Sequence, residues 1–439
     1  MNKKSLITAA LIAAGIISQA SADQVVYLTG STAFRSTIFT VLTDNLGNGV
    51  FDAGTEVQTA ARGPGSGNGA TYMLFHGNVA GVPTYVDCSW NGSDAGMGSV
   101  LNITVDNDGG PLFGAPAFWL KPDGTVNTIV TNNAVAADLE ASSHQGDIAL
   151  ADTSVAGGIA AVRNANAIHA MKAYGPLGVV TFTWVKNQNT ASGASAAKTA
   201  WTDLVNISTL EENNLLAAGS LPADYFTGNF ADNTTSTYLV GRNKGSGTRA
   251  NELLNAQFGV DNTVVQYTIG GGTGFNADGT AASPDGTLTL APALDPLGVT
   301  ADNGYESGGS VAAALGVAGS TSQTDPFNGN GGWLAVGFLG CSDAVKSGLT
   351  VAANWLTENG VLESNGAIES GTYSAWGYEN LYGKPTIVAN STQDKVGQLI
   401  LAHTPSHLGG AVAANHDASI QLGLMHASKT TDFSFPTHN

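Results

Sequence analysis

The chain has 439 residues, a formal net charge of −18 at pH 7 and only 11% charged residues. An acidic chain lacks the basic surface that nucleic acids and anionic membranes require, so we expect neither as a partner. The length is sufficient for a large core and favours two domains or lobes over one.

Residues 1–22 have the pattern of a secretory signal peptide. Two lysines precede an apolar run at 6–17, and three small residues ending at Ala22 form a cleavage site. The run is too short to span a membrane, and we identify no later candidate. We therefore expect cleavage after Ala22 and a periplasmic or secreted protein that is not inserted in the membrane.

The mature chain opens with a predicted strand at 24–28, a turn of small residues at 29–32 and an amphipathic helix. The helix is indicated by apolar or small residues near helical spacing: Phe34, Thr37, Ile38, Val41 and Leu42. The first N–H groups of a helix lack intrahelical acceptors, and the helix dipole favours negative charge there. This unit therefore presents a helix N-terminus that is suited to an anion.

Two further predicted strands end in polar residues. A strand at 85–90 leads into a turn that contains Ser93, and an apolar strand at 147–152 ends at Asp152. Asp152 has two interpretations, an N-cap of the following segment or a carboxylate that faces a ligand. A continuous apolar run at 177–185 then predicts a buried strand.

The segment 238–258 repeats the arrangement of strand, turn and helix. An apolar strand end is followed by a Gly-rich turn at 241–249 and an amphipathic run. Ser246 is placed to cap this helix, and Arg242 offers a planar fork for two oxygens of an oxyanion. A surface turn with an ordinary helix cap remains the alternative for such a motif on its own.

The rest of the chain contains few chemical motifs. We predict a loop-rich insertion at 261–330, an apolar strand at 333–339 and a return crossover at 373–378. Cys88 and Cys341 are the only cysteines, and a secreted protein permits their pairing without requiring it. Because no P-loop, nucleophile elbow or zinc-protease motif occurs, we expect no cofactor, no metal and no catalytic residue.

Five segments together resemble the phosphate-binding proteins of ABC transporters, the PstS type within the type II periplasmic binding proteins. They are Gly-Ser-Thr-Ala-Phe at 30–34, the Gly-Ser turn at 91–96, the strand and Asp at 147–154, the apolar crossover at 175–182, and Arg-Asn-Lys-Gly-Ser-Gly-Thr at 242–248. Their order agrees over most of the mature chain, and the last motif is the specific one.

The resemblance implies an α/β fold with two lobes, two crossovers and a ligand cleft between the lobes. Residues 23–180 with 377–439 would form lobe I, and residues 181–376 lobe II. It also implies binding of inorganic phosphate or a related oxyanion, delivered to an ABC transporter permease. A secreted structural or adhesive protein that retains this fold, and a secreted phosphate-ester hydrolase, are the alternatives.

The family's ligand contacts carry over to eight positions. Ala33 and Phe34 would donate through backbone N–H groups, and Asp152 would accept the proton of phosphate. The remaining donors would be Ser93, Arg242, Ser246, Gly247 and Thr248. Lys244 departs from the family, which has an acidic residue there to temper the arginine charge. Doubly charged phosphate, another oxyanion or an organophosphate are therefore open as ligands.

Overall fold

The computed structural model describes most of the chain after residue 22. The described residues are 23–55, 58–62, 67–103, 118–121, 139–141, 144–155, 171–188, 196–260, 262–270, 288–291, 304–316, 324–432 and 434–438. The predicted signal peptide and much of the predicted insertion at 261–330 lie outside them. None of the helices within these ranges is long and apolar enough to cross a membrane.

Strands and helices are interspersed along the described chain. The strands are β1 Gln24–Gly30, β2 Gln58–Arg62, β3 Tyr72–Val79, β4 Val82–Ser89, β5 Phe118–Leu120, β6 Leu139–Ala141, β7 Ile148–Ala151, β8 Lys172–Lys186, β9 Asn206–Ile207, β10 Ser220–Pro222, β11 Ser236–Leu239, β12 Tyr267–Ile269, β13 Leu288–Leu290, β14 Leu334–Gly340, β15 Thr357–Glu358, β16 Trp376–Gly383, β17 Ala411–Ala413, β18 His416–Asp417, β19 Ser419–Ile420, β20 Ala427–Ser428 and β21 Thr437–His438.

The helices are mostly short. They are α1 Arg35–Thr43, α2 Ser93–Val100, α3 Ala196–Asp203, α4 Thr209–Ala218, α5 Asp224–Thr227, α6 Gly247–Asn255, α7 Gly308–Leu315, α8 Cys341–Ala344, α9 Val351–Asn354, α10 Asn365–Glu369 and α11 Thr392–His403, with 3-10 turns at Gly67–Gly69, Phe230–Asp232, Thr404–His407 and Leu422–Leu424.

One large mixed sheet organises the molecule. Its strand order is β10-β11-β14-β8-β16-β7-β1-β4-β3-β2, with β19 paired to β8. The strands β4, β1 and β7 are parallel to one another, and so are β11 and β14. The long antiparallel strands β8 and β16 join these two groups. The predicted α/β class, with two lobes joined by two crossover strands, is confirmed.

The register along β8 explains where a ligand site is positioned. Its first part pairs with β16 up to Thr181, and its last part pairs with β14 from Phe182 onward. Gly340 at the end of β14 lies opposite Phe182, whereas β7 pairs with β16 on the other side of this junction. The carboxyl ends of both groups of parallel strands therefore converge near the middle of β8. Ligand crevices of open α/β sheets form at such ends.

Local sequence explains the helix that leaves β11. Ser246 is the N-cap of α6, and its side chain accepts from the backbone N–H of Arg249 at 3.3 Å, as predicted. By contrast, α1 begins after Phe34, which makes no side-chain cap hydrogen bond. Phe34 instead buries its ring in the main core, where its exposed fraction is 1%.

The two cysteines lie in different parts of the interior and are unpaired. Cys88 belongs to the main hydrophobic cluster and Cys341 to a second cluster around β14. Both thiols are fully buried, and burial raises the pKa of each well above its ordinary value. The disulfide that the secreted context permits is therefore not formed, and both cysteines act as small apolar side chains.

Candidate functional site

Asp152 lies at the centre of a polar cluster that both groups of strands supply. Its carboxylate follows β7 and accepts hydrogen bonds from the hydroxyl of Ser93, at the start of α2, and from that of Thr248, in α6, at 3.4 Å. The side chain of Asn251 donates to the backbone oxygen of Asp152 at 2.8 Å. Residues far apart in sequence thus meet at one buried carboxylate, whose residue is 1% exposed.

Burial raises the pKa of Asp152 above its ordinary value. The hydrogen bond from Ser93 and the positive charge of Arg242 act in the opposite direction without cancelling this effect. The segment that Asp152 would cap, from residue 156, lies outside the described residues. The contacts present are those of a carboxylate surrounded by hydroxyl donors, an environment suited to accepting a proton from a ligand.

Gly247 is required by the close approach of α6 to this carboxylate. A Cβ atom on Gly247 would lie 1.7 Å from Asp152 Oδ1 and 2.6 Å from Ser93 Oγ. These distances are far below van der Waals contact, so no larger residue fits without moving α6. The glycine of the predicted motif thus permits its helix N-terminus to approach Asp152.

We expect Gly247→Ala to weaken, by about tenfold or more, binding of the phosphate that the five motifs imply, because the new methyl group separates α6 from Asp152. Gly366→Ala is a matched control, since that glycine also lies in the first turn of a helix but a Cβ there meets nothing within 4 Å. Calorimetric titration with phosphate measures the affinity of each variant, and a thermal melt measures its stability. Equal affinity of the two variants would contradict the proposed role of Gly247.

Arg242 is buried and firmly oriented. Its exposed fraction is 2%, and it donates from Nε to the carbonyl oxygen of Tyr305 at 3.1 Å and from Nη2 to that of Glu306 at 2.6 Å. Nη1 also contacts Thr32 Oγ1 at 3.4 Å, across from β11 to the turn after β1. A guanidinium has five N–H donors, so two are left for a ligand.

Asp343 supplies the negative charge near Arg242 that an acidic residue at position 244 would have supplied. Burial lowers the pKa of Arg242 to about 10, while the charge of Asp343, and then that of Asp152, act to raise it. Arg242 therefore stays protonated at neutral pH. Lys244 itself is only partly buried. The acid that tempers the arginine lies about a hundred residues later in the sequence, just after β14.

The helix N-termini differ in whether protein groups already occupy them. In α2, the N–H groups of Asp94 and Ala95 donate to the carbonyl oxygen of Gly245, at 3.2 and 3.3 Å. The first N–H groups of α1 donate to no acceptor among the described residues. The N–H groups of Gly247 and Thr248 in α6 are open in the same sense. The same holds for the N–H groups of Ala33 and Phe34. The open ends are those of the two helices predicted to face an anion.

Five of the predicted site residues lie together in the structure: Ser93, Asp152, Ser246, Gly247 and Thr248. Arg242 is linked through Thr32 to the turn that contains the other two, Ala33 and Phe34. Sequence reasoning missed four charged residues around them: Arg35, Glu306, Asp343 and Glu379. Only Arg35 has a local signal, since it directly follows the predicted Gly30–Phe34 motif.

Glu379, on the crossover strand β16, is a second buried carboxyl group near Asp152. It is fully buried, and neither of its carboxyl oxygens has a hydrogen-bond partner among the described residues. Burial, and then the charge of Asp152, raise the pKa of Glu379 well above its ordinary value. Burial therefore favours the neutral form of this carboxyl group.

No protein-family model and no curated protein matches the chain. Among solved structures, it is similar to a Clostridium perfringens protein with bound phosphate, classed as a phosphate ABC transporter substrate-binding protein, at 10% identity and a TM-score of 0.44 over 91% of this chain and 100% of that one. It is also similar to an ABC-type phosphate transport receptor from Vibrio cholerae, at 12% identity and a TM-score of 0.37 over 86% and 93%. It is similar as well to PstS from Borrelia burgdorferi, at 11% identity and a TM-score of 0.31 over 87% of this chain and 92% of that one. These are proteins of the family that the five motifs resemble.

Proposed function

We propose that this protein binds inorganic phosphate, or a closely related tetrahedral oxyanion, at the cluster around Asp152 and Arg242. The observation that carries the proposal is the convergence of a buried arginine, two hydroxyl donors, a buried carboxylate and two open helix N-termini. They meet where the strands of both lobes end. Each donor is of a kind that stabilises a phosphate oxygen, and the carboxylate is of the kind that accepts its proton.

The proposed site divides between residues 23–180 with 377–439, as lobe I, and residues 181–376, as lobe II. Ser93, Asp152 and the N–H groups of Ala33 and Phe34 belong to the first. Arg242, Ser246, Gly247 and Thr248 belong to the second. An anion that contacts both sets favours the closed arrangement of the lobes, because it stabilises only the state in which both sets reach it.

In this proposal, the net acidic charge of the chain does not oppose binding. The donors act at short range inside a buried site, where water screens them little, whereas salt screens the outer surface. The chain would act as a periplasmic or secreted binding protein that presents phosphate to an ABC transporter permease. Its role would be to bind and release the anion without chemical change.

Calorimetric titration of the mature chain with inorganic phosphate tests the proposal. We expect saturable binding with one anion per chain and, at 100 times the dissociation constant, a gain in unfolding free energy of about 2.7 kcal/mol. Sulfate at equal ionic strength is the control for general anion effects. A folded protein that phosphate neither binds nor stabilises would refute the proposed function.

A further inference from the structure

Arg35, the first residue of α1, is a buried cation whose guanidinium donates no hydrogen bond within the described part of the chain. Its exposed fraction is 6%, yet it makes no hydrogen bond and no ion pair with any described residue. Long charged side chains are almost never buried this deeply unless they are paired. A buried guanidinium that lacks a partner is costly, and an absent anion is the natural group to offset that cost.

Contacts of the turn before α1 place Arg35 beside the proposed site. Arg242 donates to Thr32 Oγ1 at 3.4 Å, three residues before Arg35, and the charge of Arg35 acts to lower the pKa of Arg242. Burial lowers the pKa of Arg35, and the charge of Asp343 acts to raise it. Lys346 forms an ion pair with that same carboxylate. Arg35, Arg242 and Lys346 thus all face Asp343, and Arg242 also faces Asp152 and Glu306, so Arg35 has only a share of one carboxylate.

Asp343 is itself held in its ionised form. Burial acts to raise its pKa, but Lys346, Arg35 and Arg242 outweigh this effect and lower it below the ordinary value. The carboxylate also lies against the start of α7, since a Cβ atom on Gly308 would be 2.2 Å from Asp343 Oδ2. The ion pair with Lys346 and this close packing hold the carboxylate in place.

We propose that Arg35 is a second guanidinium ligand of the bound anion, and that it makes the site select phosphate with two negative charges and one proton. This inference rests on the proposed function. Arg35 is the first residue of α1, and the open N–H groups belong to the same helix end, so in this proposal one anion accepts from both. Arg35 and Arg242 balance the two charges, and Asp152 accepts the single proton.

The test compares the wild type with Arg35→Gln and Arg35→Lys, using inorganic phosphate in calorimetric titrations. We expect Arg35→Gln to weaken binding by about 10- to 100-fold. Arg35→Lys keeps the charge but loses the planar fork, so its affinity should lie between those of the wild type and Arg35→Gln. The wild type should also bind total phosphate about tenfold more tightly near pH 8 than near pH 6, and Arg35→Gln should show a smaller gain.

Thermal melts without phosphate separate a ligand-binding role from a structural one. Because Arg35 donates no hydrogen bond to a described residue and is one of three cations that face Asp343, Arg35→Gln should leave the Tm unchanged or raise it. The matched control is Arg249→Gln, since Arg249 is equally buried but donates to the carbonyl oxygen of Arg242 at 3.3 Å; its loss should lower the Tm. The titratable groups of the proposed site are shared by both proteins in the pH comparison: Asp152, Glu306 (pKa raised to about 7 by burial), Asp343 and Glu379.

The outcomes distinguish this inference from the proposed function. Failure of the wild type to bind phosphate refutes both. Binding by the wild type with equal affinity in Arg35→Gln overturns the role of Arg35 and leaves the proposed function intact. A fall in Tm for Arg35→Gln as large as that for Arg249→Gln assigns Arg35 a structural role and also overturns the inference. An equal gain in phosphate affinity from pH 6 to pH 8 in both proteins would refute the claim that Arg35 selects doubly charged phosphate.

Discussion

Arg242→Ala is expected to weaken phosphate binding by a factor of about 100 or more while the protein remains folded. The guanidinium keeps two N–H donors that no described residue accepts, and each charge-assisted hydrogen bond contributes about 1.5–3 kcal/mol. Two such bonds correspond to at least two factors of ten in the dissociation constant. Calorimetric titration with phosphate measures the change.

The expected loss is large because the protein holds Arg242 in place before the ligand arrives. The carbonyl oxygens of Tyr305 and Glu306 fix one edge of the guanidinium plane. Little side-chain entropy is then lost when the anion binds. Arg242→Lys should recover only part of the affinity, because lysine keeps the charge but provides neither the fork nor the two contacts that orient it.

Lys244→Ala is the control for this prediction, because Lys244 lies in the same turn and carries the same charge. It is partly exposed, whereas Arg242 is almost fully buried. We expect its loss to change affinity by less than about threefold, since exposed charges act weakly through solvent. A decrease as large as that of Arg242→Ala would show that the turn acts only through its general positive charge.

The segments that were predictable from sequence depend on near neighbours. The strand before residue 241, the turn and the helix that starts at Gly247 follow from an apolar run, glycines and the Ser246 cap. The crossover β8 was predicted at 177–185 but starts at Lys172. Its first five residues are only partly buried or exposed, so they carry no continuous apolar signal.

The charges around Arg242 were not predictable, because they depend on tertiary contacts. Asp343 lies after a different strand, and nothing in the sequence around Lys244 indicates that an acid from there takes the place of the missing one. Arg35 has the appearance of a polar residue on an amphipathic helix. Its burial becomes evident only when α1 packs at the junction of the two groups of strands.

The spacing of Cys88 and Cys341 illustrates the same limit. Their pairing depends on a geometry that neither segment encodes, and the fold places them in separate hydrophobic clusters. The roles of the eight predicted ligand residues stay predictions, although their contacts are consistent with one buried site. Binding experiments on single variants are therefore the means of assigning each role.

Asp152→Asn is expected to reduce the preference for phosphate over sulfate by a factor of about ten or more. Sulfate carries no proton at neutral pH, so it would face the buried carboxylate without a hydrogen bond. Asparagine removes the negative charge and supplies a donor that sulfate can use. Competition titrations at fixed ionic strength, on the wild type and the variant, measure the preference.

The pH dependence gives an independent check on the same residue. Burial raises the pKa of Asp152, so this carboxyl group gains a proton at a higher pH than an exposed aspartate does. Once protonated, it can donate to sulfate as the asparagine does. The preference of the wild type for phosphate should therefore be full above this pKa and decline as the pH falls through it, whereas Asp152→Asn should show no such decline.

Strong inhibition by sulfate in the wild type at neutral pH would exclude Asp152 as a proton acceptor for the ligand. The hydroxyl groups of Ser93 and Thr248 would then bind only Asp152, as they do in the described contacts. The anion would be held by Arg242, the open helix N-termini and Arg35. Such a site recognises charge and tetrahedral shape but not a proton, so it would bind oxyanions generally.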